Sequence, residues 1–544
     1  MNRNETPLAL PIGEKFWLSL TSHHFQMPTR HLHIPNVRYT HYFSLSNSLH
    51  SLVPAAAPKI CETPLSALSV TASFPVSKFC REGLNISPTN GPHLLRMTAR
   101  MQTNILAVEP QGLGSVVVKE TTKDLIDEWE IEYAEGNHHK NLKRAAEELV
   151  KTDTPVAFPT ETVYGLGADA TRSSAVKAIF AAKGRPADNP LIVHIHSLPQ
   201  LRALLLGKEI STNGTVDAET DPIPAIYRPV IERFWPGPIT IILPAPNNSI
   251  LAPEVTAGLP TFGARMPRSI LALSLLRLCG RPLAAPSANA STRPSPTAAE
   301  HVYDDLKGRI RTIIDGGPCE VGVESTVVDG LSSPPSILRP GGVTVEQLRQ
   351  CPGWEKVVIG YKDSQEGDTS KPRAPGMKYR HYSPKARVIL FEAGAGRPSV
   401  EELNKMKKVG FIRTISWPPV PGFELLQRSL PSANACSNGI PVANPSISTH
   451  AALSPRQSNL LRSVIQHQIP CAEHYVSARS SLDVWDINLG AETEGVARGL
   501  FSALRELDKK EVDIIYVEGI NDKSGDDIAA AVMNRLRKAA EIRQ

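Results

Sequence analysis

The sequence lacks any apolar run of the ~20 residues that a membrane-spanning helix needs, so no such helix is expected. It also lacks cysteines at metal-binding spacing, because its seven cysteines are scattered over 544 residues without a Cys-x-x-Cys pair. We therefore predict reduced thiols, a cytosolic-type compartment and no contact with membranes. Charge of one sign is not in excess either, since 59 basic and 54 acidic residues leave a net charge of +5. Any polyanion-binding site must therefore be local.

Standard phosphate-binding loops are absent as well. The chain contains neither Gly-x-x-x-x-Gly-Lys-Ser/Thr nor a credible Gly-x-Gly-x-x-Gly that follows a predicted strand. Pairs of Cys and His at zinc spacing are also missing, so we predict no metal site made by protein side chains alone. A bound nucleotide must therefore be held by other groups.

Residues 1–100 contain no aspartate and four glutamates, against nine lysines and arginines. An acid-poor, serine-rich composition is typical of a mitochondrial transit segment. It equally fits a disordered tail. A third interpretation is an artefactual extension, because Met97 and Met101 stand just before regular patterning begins. We predict a cytoplasmic protein with a disordered or targeting extension over 1–100, and the transit interpretation adds a mitochondrial location.

The length of the chain allows two or three domains with sizeable cores. We predict a first α/β domain over 137–350, a linker over 353–386 and a second α/β domain over 387–544. Pro, Ser and Asn are abundant between 417 and 480, which we interpret as a disordered insertion in the second domain.

A polar, glycine-rich stretch organises the first domain. Pro155–Phe158 is short and apolar and predicts a buried strand, and Pro159–Gly167 after it predicts a loop. The next segment predicts a helix that Ser173 or Ser174 caps and that ends at Lys183 with a glycine behind it. Loops after strand ends are the usual ligand sites of α/β sheets. The simpler interpretation is that Lys183 only complements the helix C-terminus and that the glycines only turn the chain.

Other apolar runs predict further strands, most of which end in polar residues. These runs are Leu191–Ile195, Ile239–Leu243, Thr261–Pro267, Pro282–Asn289, Thr312–Asp315, Ser325–Asp329, Ser336–Arg339, Val388–Phe391 and Ile514–Val517. The cations, hydroxyls and amides near such ends are candidate ligand groups: Lys183, Arg185, Arg265, Arg339, His381, Ser287, Asn289, Ser295 and Ser325. For His194 the alternative is a hydrogen-bonded core histidine within an apolar strand.

Six short motifs occur together in the first domain: Pro159–Gly167, Lys183–Pro186, Asn189–His194, Ala285–Asn289, Glu324–Thr326 and Arg339–Gly341. In combination they resemble the YrdC/YwlC family, the threonylcarbamoyl-AMP synthases. His381–Pro384 and the C-terminal α/β region resemble the long, two-domain form of that family, of fungal type. The resemblance implies a YrdC-like twisted, mixed, open α/β sheet with helices, followed by a smaller Rossmann-like α/β domain.

The resemblance also implies a reaction, in which L-threonine, bicarbonate and ATP with Mg²⁺ give threonylcarbamoyl-AMP and pyrophosphate. The product is expected to pass to a threonylcarbamoyl transferase complex, which forms N6-threonylcarbamoyladenosine (t6A) beside the anticodon of tRNA. Contact with tRNA or other double-stranded RNA is a further expectation. Because two anions must meet, we expect catalysis by positioning and electrostatics, without a covalent enzyme intermediate.

The binding residues of the family correspond to positions of this sequence. L-threonine is expected at Thr162, His194, Arg265, the Ala285 backbone and Ser325. ATP is expected at Arg185, Asn189, Thr261, Ser287, Ser295, Arg339 and His381, with added phosphate-linked or Mg²⁺-linked contacts from Lys183 and Asn289. Tyr382, together with His381, is expected to form a lid that keeps water from the labile carbamate.

Two other functions stay open from the sequence. A nucleic-acid-binding module would grip RNA phosphates, but the near-neutral net charge and the lack of interleaved aromatic and basic residues disfavour it. A related enzyme that acts on carbamoyl phosphate is disfavoured by the lack of zinc-finger cysteines and by the long-form C-terminal domain.

Overall fold

The computed structural model describes residues 101–118, 129–208, 221–361, 381–403, 405–419, 424–425, 470–477, 480–522 and 527–544. The predicted extension over 1–100 lies outside these ranges, and so do 362–380 of the predicted linker and 426–469 of the predicted insertion. The limits drawn for the domains stay predictions. Within the described ranges, no helix has the length and apolar character needed to cross a membrane.

The strands of the described ranges are short, and most of their side chains are buried. In chain order they are β1 (Asn104–Ala107), β2 (Gly114–Val118), β3 (Trp129–Tyr133), β4 (Val156–Pro159), β5 (Tyr164–Asp169), β6 (Ile192–His194), β7 (Ile239–Pro244), β8 (Thr261–Arg265), β9 (Leu283–Ala284), β10 (Thr312–Asp315), β11 (Thr326–Asp329), β12 (Ser336–Arg339), β13 (Val358–Ile359), β14 (Arg387–Phe391), β15 (Lys408–Arg413), β16 (Glu424–Leu425), β17 (Glu473–Ser477), β18 (Ser480–Asn488), β19 (Ile514–Glu518) and β20 (Ile542–Arg543).

The helices pack against these strands through apolar faces. They are α1 (Asn137–Lys151), α2 (Ser173–Lys183), α3 (Leu198–Leu205), α4 (Arg228–Phe234), α5 (Pro253–Thr256), α6 (Ile270–Cys279), α7 (Ala299–Leu306), α8 (Val345–Arg349), α9 (Val400–Leu403), α10 (Thr493–Lys509) and α11 (Asp527–Ala539). In α1, for example, the helical spacing of Leu142, Ala145, Ala146, Leu149 and Val150 predicts one apolar face; the first four are buried, whereas Val150 is exposed.

The larger sheet is mixed and open. Its eleven strands lie in the order β1-β10-β4-β5-β9-β6-β8-β7-β11-β12-β13. Neighbours such as β6 and β8 run parallel, whereas β4 and β5 run antiparallel. Both faces of β4 are covered, since each of its four residues is buried, which explains its continuous apolar run. The predicted mixed α/β sheet is confirmed.

The smaller sheet is mostly parallel. Its strand order is β16-β17-β18-β15-β19-β14-β20. The strands from β18 to β20 in this order pair in parallel, and β16, β17 and β18 form an antiparallel edge. Helix α10 follows β18 and α11 follows β19. The predicted smaller, Rossmann-like domain is confirmed.

The two sheets share part of their apolar core. Val163 and Val323, which belong to the first sheet's domain, lie in one buried cluster with Tyr382, Phe501 and Leu504. Tyr382 follows the undescribed part of the linker, and its ring centroid lies 5.3 Å from that of Phe501 in helix α10. The second domain is therefore packed onto the loops that follow β4 and precede β11.

One predicted loop is wrong in part. Pro159–Gly167 was expected to be a loop, but its second half belongs to β5, which pairs antiparallel with β4. Gly167 of β5 serves packing, because a Cβ on it would lie 2.7 Å from the Phe158 ring. Glycine content alone suggested a turn, whereas here the missing side chain makes room for a neighbouring aromatic ring.

The predicted cap of helix α2 is also wrong. The N-cap residue is Arg172, without a side-chain capping bond, and Ser173 donates its hydroxyl to Glu254 instead, at 2.8 Å. A tertiary partner therefore takes the hydroxyl that local reasoning assigned to the helix terminus. The other end is confirmed: α2 ends at Lys183, and Gly184 adopts the left-handed conformation with φ of 63°.

Gly322 provides a test of the domain contact. Its φ is 80°, and a Cβ built on it would lie 2.3 Å from Cα of Arg498 in helix α10. We expect Gly322→Ala to lower the free energy of unfolding by more than ~3 kcal/mol, because backbone strain and a backbone clash add. Urea unfolding of the whole chain measures this.

Gly280→Ala is the matched control. Gly280 has φ of 59° with no atom within 4 Å of the added Cβ, so only conformational strain remains. We expect a cost of about 1–2 kcal/mol there. Equal losses of unfolding free energy in Gly322→Ala and Gly280→Ala would contradict the close contact between Gly322 and helix α10.

Candidate active site

His194 and Arg265 form the centre of the site. They end the parallel strands β6 and β8 and stand opposite each other in the strand register. Burial and, to a smaller extent, the nearby Arg265 guanidinium together lower the pKa of His194 to about 3. The imidazole is therefore neutral at pH 7. Its Nδ1 is buried and has no hydrogen-bond partner among the described residues, which favours a ligand role over a satisfied core histidine.

The Arg265 guanidinium is held by three groups. Its Nη2 lies 2.6 Å from Oε1 of Glu161 in a buried ion pair. Its Nη1 donates to Oγ1 of Thr162 at 2.9 Å, and its Nε donates to the carbonyl oxygen of Gly237 at 3.2 Å. The Thr162 hydroxyl is in turn 2.8 Å from that of Thr160. The fork is thus fixed in direction, as recognition of a carboxylate requires.

Ser325 and Arg339 form the adjoining wall at strands β11 and β12. Arg339 donates from Nε and Nη2 to the Ser325 carbonyl, at 3.0 and 2.9 Å, and from Nη2 to the Ser325 hydroxyl at 3.0 Å. The Thr240 hydroxyl lies 2.8 Å from that of Ser325. Burial lowers the pKa of Arg339 to about 10, against the opposing effects of Tyr382 and Glu324. Arg339 therefore keeps its charge at pH 7.

Lys183 holds the Ser-Ala-Asn loop. Its Nζ donates to the Asn289 carbonyl at 2.7 Å, to Oδ1 of Asn289 at 3.3 Å and to the Ser287 carbonyl. Ser287 donates its hydroxyl to the same Oδ1 at 2.5 Å. Burial, and then Arg185, hold the pKa of Lys183 well below its usual value. The simpler interpretation, in which Lys183 only complements the end of its own helix, is wrong, because its amine reaches a loop about a hundred residues away in sequence.

Arg185 lies near His381, and Arg185 and Asn189 each carry a buried polar atom without a hydrogen-bond partner among the described residues. These atoms are Nη2 of Arg185 and Oδ1 of Asn189. Burial, followed by Arg185, lowers the pKa of His381 to about 3, although Glu324 opposes this. The His381 ring packs against that of Tyr382, with 4.6 Å between centroids. The end of the linker therefore lies against the predicted nucleotide contacts.

Three further predicted binding residues, Ser295, Ala285 and Thr261, lie in different surroundings. Ser295 is fully buried and donates its hydroxyl to Oε1 of Glu324. Ala285 follows β9, and its backbone N–H donates to the Ile192 carbonyl at 3.0 Å. Thr261 begins β8 whereas Arg265 ends it, so the two are about 13 Å apart along an extended strand. The structure therefore does not bring Thr261 to the Arg265 group.

Electrostatic effects indicate which of the remaining groups lie near one another. Arg265 acts on the pKa of both His194 and Arg339, after the larger effect of burial in each case. Tyr382 raises the pKa of Arg339 and of Arg185, although burial has the larger, opposite effect on both. Cations at separate strand and loop ends thus face one another, although their individual roles stay predictions.

Sequence reasoning missed the carboxylates that balance these cations. Glu161 and Glu324 lie inside two of the recognised motifs, so an acidic residue beside a candidate cation was an available signal. Arg505 and Arg535 gave no such signal, because an arginine in an amphipathic helix is normally expected on the solvent side. Both are buried here, and they contact Asp305 and Glu324 of the first domain.

The fold and the site define a class: a mixed α/β domain with buried cationic side chains at its strand and loop ends, and a second α/β domain packed beside it. The family described as "Telomere recombination" matches residues 148–341. The family described as "Threonylcarbamoyl-AMP synthase, C-terminal domain" matches residues 343–541. The chain therefore carries the two domains in the order that the motifs predict.

Whole-length relatives extend this match. The threonylcarbamoyl-AMP synthase of Schizosaccharomyces pombe is 40% identical over 452 residues, covering 81% of this chain and 98% of that protein. The Pyrococcus abyssi synthase is 38% identical over 431 residues, covering 77% and 97%. A solved Pyrococcus abyssi structure in complex with L-threonine has a TM-score of 0.54 at 34% identity and covers 81% of this chain and all of its own.

The chain therefore belongs to the threonylcarbamoyl-AMP synthase family of nucleotidyltransferases, in its two-domain form. The family predicted from the six motifs is confirmed. The alternatives of a nucleic-acid-binding module and of an enzyme acting on carbamoyl phosphate are not supported.

Arg265→Lys tests the fork at the centre of the site. A lysine keeps the charge but cannot contact Glu161, Thr162 and Gly237 together. We expect L-threonine to bind at least ~10-fold more weakly, with nucleotide affinity little changed, by isothermal titration. Arg268→Lys is the control, because Arg268 pairs with Glu320 at the exposed surface. Equal losses of L-threonine affinity in Arg265→Lys and Arg268→Lys would contradict the prediction that Arg265 binds L-threonine.

The buried histidine at the site gives a pH test of stability. The native pKa of His194, about 3, lies below its usual value of 6.5, so the unfolded chain binds more protons between these values. The free energy of unfolding should therefore be highest above pH ~6.5 and fall on acidification, by up to ~1.4 kcal/mol per pH unit for this residue. His194→Gln should flatten this slope in urea unfolding at pH 7, 6 and 5. An unchanged slope would contradict a buried neutral imidazole.

Proposed function

We propose that this protein synthesises threonylcarbamoyl-AMP from L-threonine, bicarbonate and ATP and releases pyrophosphate. The observation that carries the proposal is the buried Arg265 fork, fixed by Glu161 beside the neutral His194 in a chain of this family. Such a fork suits the carboxylate of an amino acid. The neighbouring cations suit a triphosphate.

L-threonine would lie at the ends of β6 and β8. Arg265 would bind its carboxylate, and Thr162 and Ser325 would supply hydroxyl contacts beside it. His194, being neutral, can form a hydrogen bond there without adding charge. The backbone of Ala285 would complete the pocket. The Pyrococcus abyssi protein solved with L-threonine supports an amino-acid site in this fold.

ATP would lie on the side of the linker. Arg185 and Asn189 offer buried polar atoms that have no partner in the described ranges, so both are suited to phosphate or base contacts. Ser287, Ser295, Arg339 and His381 would line the remaining surface, with Thr261 at greater distance from the threonine pocket. His381 and Tyr382 would cover the nucleotide; their rings pack against each other, and the Tyr382 ring packs against Phe501 of the second domain.

The chemistry requires two anions to approach. The free amine of threonine attacks the carbon of bicarbonate, and loss of water leaves a carbamate. A carbamate oxygen then attacks the α-phosphorus of ATP, and the bond to the bridging oxygen breaks with release of pyrophosphate. Arg339, Arg185 and Lys183 would oppose the charge that builds on the phosphates. None of these steps needs a covalent bond to the protein.

Mg²⁺ suits this reaction as a partner of ATP. Among the residues that the structure describes, no group of three or more His, Cys, Asp or Glu side chains could hold a metal ion. Mg²⁺ commonly keeps several waters and binds through substrate phosphates. When bound it would supply charge neutralisation at those phosphates. We propose that Lys183 and Asn289, which bond to each other here, shape the loop beside it.

The product would serve t6A formation in tRNA through a transferase complex that accepts the unstable adenylate. We place this activity in a reducing compartment, the cytoplasm. Cys279, Cys319 and Cys351 are buried free thiols and Cys471 is an exposed one, which fits that environment. A mitochondrial location and a direct contact with tRNA are added proposals from the sequence.

Pyrophosphate release tests the proposed function. We expect release by the purified chain to require ATP, Mg²⁺, L-threonine and bicarbonate together. Arg185→Ala should reduce the rate by about 100-fold or more, because a cation facing the phosphates is lost.

Arg349→Ala is the control for this substitution, since Arg349 is exposed on α8 and pairs with Glu346 at the surface. Release without threonine would favour a plain ATPase instead. Binding of tRNA without any release would favour a nucleic-acid-binding protein.

A further inference from the structure

Arg535 reaches from the second domain into the first. It lies on helix α11, and its side chain is fully buried. Its Nε lies 3.0 Å from Oε2 of Glu324, and its Nη1 donates to the carbonyl oxygen of Pro340. Glu324 belongs to the motif Glu324–Thr326, which leads into β11. Pro340 belongs to the motif Arg339–Gly341, which lies at the end of β12. One guanidinium therefore joins two strand-end motifs of the first domain.

Glu324 connects Arg535 to the predicted nucleotide contacts. While Oε2 faces Arg535, Oε1 accepts the hydroxyl of Ser295. Glu324 also directly precedes Ser325, whose carbonyl and hydroxyl accept from Arg339. The Glu324 carboxylate therefore contacts Ser295 directly, and it is linked to Arg339 through the neighbouring residue Ser325.

A lone carboxylate in this position would oppose the proposed function. Glu324 is buried, and its charge acts on Arg339, Lys183 and His381. An unpaired negative charge there would repel a triphosphate and draw the Arg339 guanidinium toward itself. Arg535, followed by Arg339, holds the pKa of Glu324 below its usual value against the effect of burial. The pairing therefore keeps Glu324 ionised and compensated.

The second domain repeats this arrangement at a neighbouring position. Arg505 of helix α10 pairs with Asp305, at 2.7 Å between Nη2 and Oδ2, and both side chains are buried. Oδ2 of Asp305 also accepts the backbone N–H of Ala290, which directly follows the Ser-Ala-Asn motif. In both cases an arginine of the second domain compensates a first-domain carboxylate that fixes part of the nucleotide side.

We propose that Arg535 is a positioning residue for ATP, which acts from the C-terminal domain by neutralising Glu324. Arg535 does not touch the nucleotide in this scheme; it lets Ser295 and Arg339 face the phosphates. This rests on the proposed function, since it takes Ser295 and Arg339 as ATP contacts. It assigns the second domain an electrostatic role in substrate binding.

A double-mutant cycle in the full-length chain tests this. Arg535→Met removes the charge and keeps much of the volume, and we expect it to weaken binding of a non-hydrolysable ATP analogue with Mg²⁺ by about 100-fold. L-threonine binding should change far less. Adding Glu324→Gln to Arg535→Met should restore analogue affinity to within about fivefold of the parent chain, because no charge is left unpaired. If the double variant binds as poorly as Arg535→Met alone, the proposal is wrong.

Two more variants separate charge from packing. Arg537→Met is the matched control, because Arg537 lies on the same helix and pairs with Glu392 and Asp522 inside the second domain. It should lower thermal stability without changing analogue affinity. Arg535→Lys keeps the charge and should retain affinity within about 10-fold of the parent chain. Equal losses in Arg535→Lys and Arg535→Met, or in Arg535→Met and Arg537→Met, would overturn the proposal.

A pH series gives a readout that a purely structural role would not move. In Arg535→Met the pKa of Glu324 should rise, so analogue binding should recover as the pH falls and the carboxyl becomes neutral. The other groups that face Glu324 are Arg339 of β12, Ser295, Lys183 at the end of α2, and His381 and Tyr382 of the linker. The parent chain and Arg535→Lys should lack this recovery, and its absence in Arg535→Met would contradict the proposal.

The outcome for Arg535 is distinguishable from that for the proposed function. A parent chain that binds the analogue but shows no threonine-dependent pyrophosphate release would refute the synthase activity while the binding cycle still decides the role of Arg535. A parent chain with full synthase activity and unchanged analogue binding in Arg535→Met would refute only the role of Arg535. A parent chain that does not bind the analogue would refute both.

Discussion

The constraint on which this structure depends is the balance of charge among the buried side chains of the candidate site. Arg265 and Arg339 are cations, yet they are only 4% and 5% exposed. An ion without compensation in such surroundings costs several kcal/mol. The chain meets this cost with buried carboxylates, as in the pair of Arg265 and Glu161. The same pair helps to fix the direction of the Arg265 guanidinium, so the balance of charge also contributes to the geometry of the site.

The second domain takes part in this balance. Arg505 and Arg535 come from helices α10 and α11, yet their carboxylate partners belong to the first domain. Shared apolar packing around Phe501 and Tyr382 holds these helices against the first domain. Removing one partner of such a buried pair typically costs about 3–5 kcal/mol. The two domains are therefore linked by charge as well as by apolar contact.

Local sequence signals predicted much of the fold. Strands β10 and β12 span the predicted residues, and helix α2 ends at Lys183 as expected. Short apolar runs and a left-handed glycine are decided by nearest neighbours, so the sequence shows them directly. The failures have tertiary causes: β5 needs a glycine at Gly167 because the Phe158 ring lies against it, and Ser173 donates to Glu254 instead of capping its own helix. A local pattern cannot reveal a partner that lies far along the chain.

The candidate site divides in the same way. The motif residues, their spacing and hence the family could be read from the order of amino acids, because each motif is a contiguous strand end with characteristic polar groups. The tertiary structure alone decided which of these groups meet, that Lys183 turns to the Ser287–Asn289 loop, and that Thr261 stands apart from Arg265. It also decided that Arg535 is buried against Glu324. The reason is physical: electrostatic and hydrogen-bond partners are selected by distance in space, which the linear sequence does not contain.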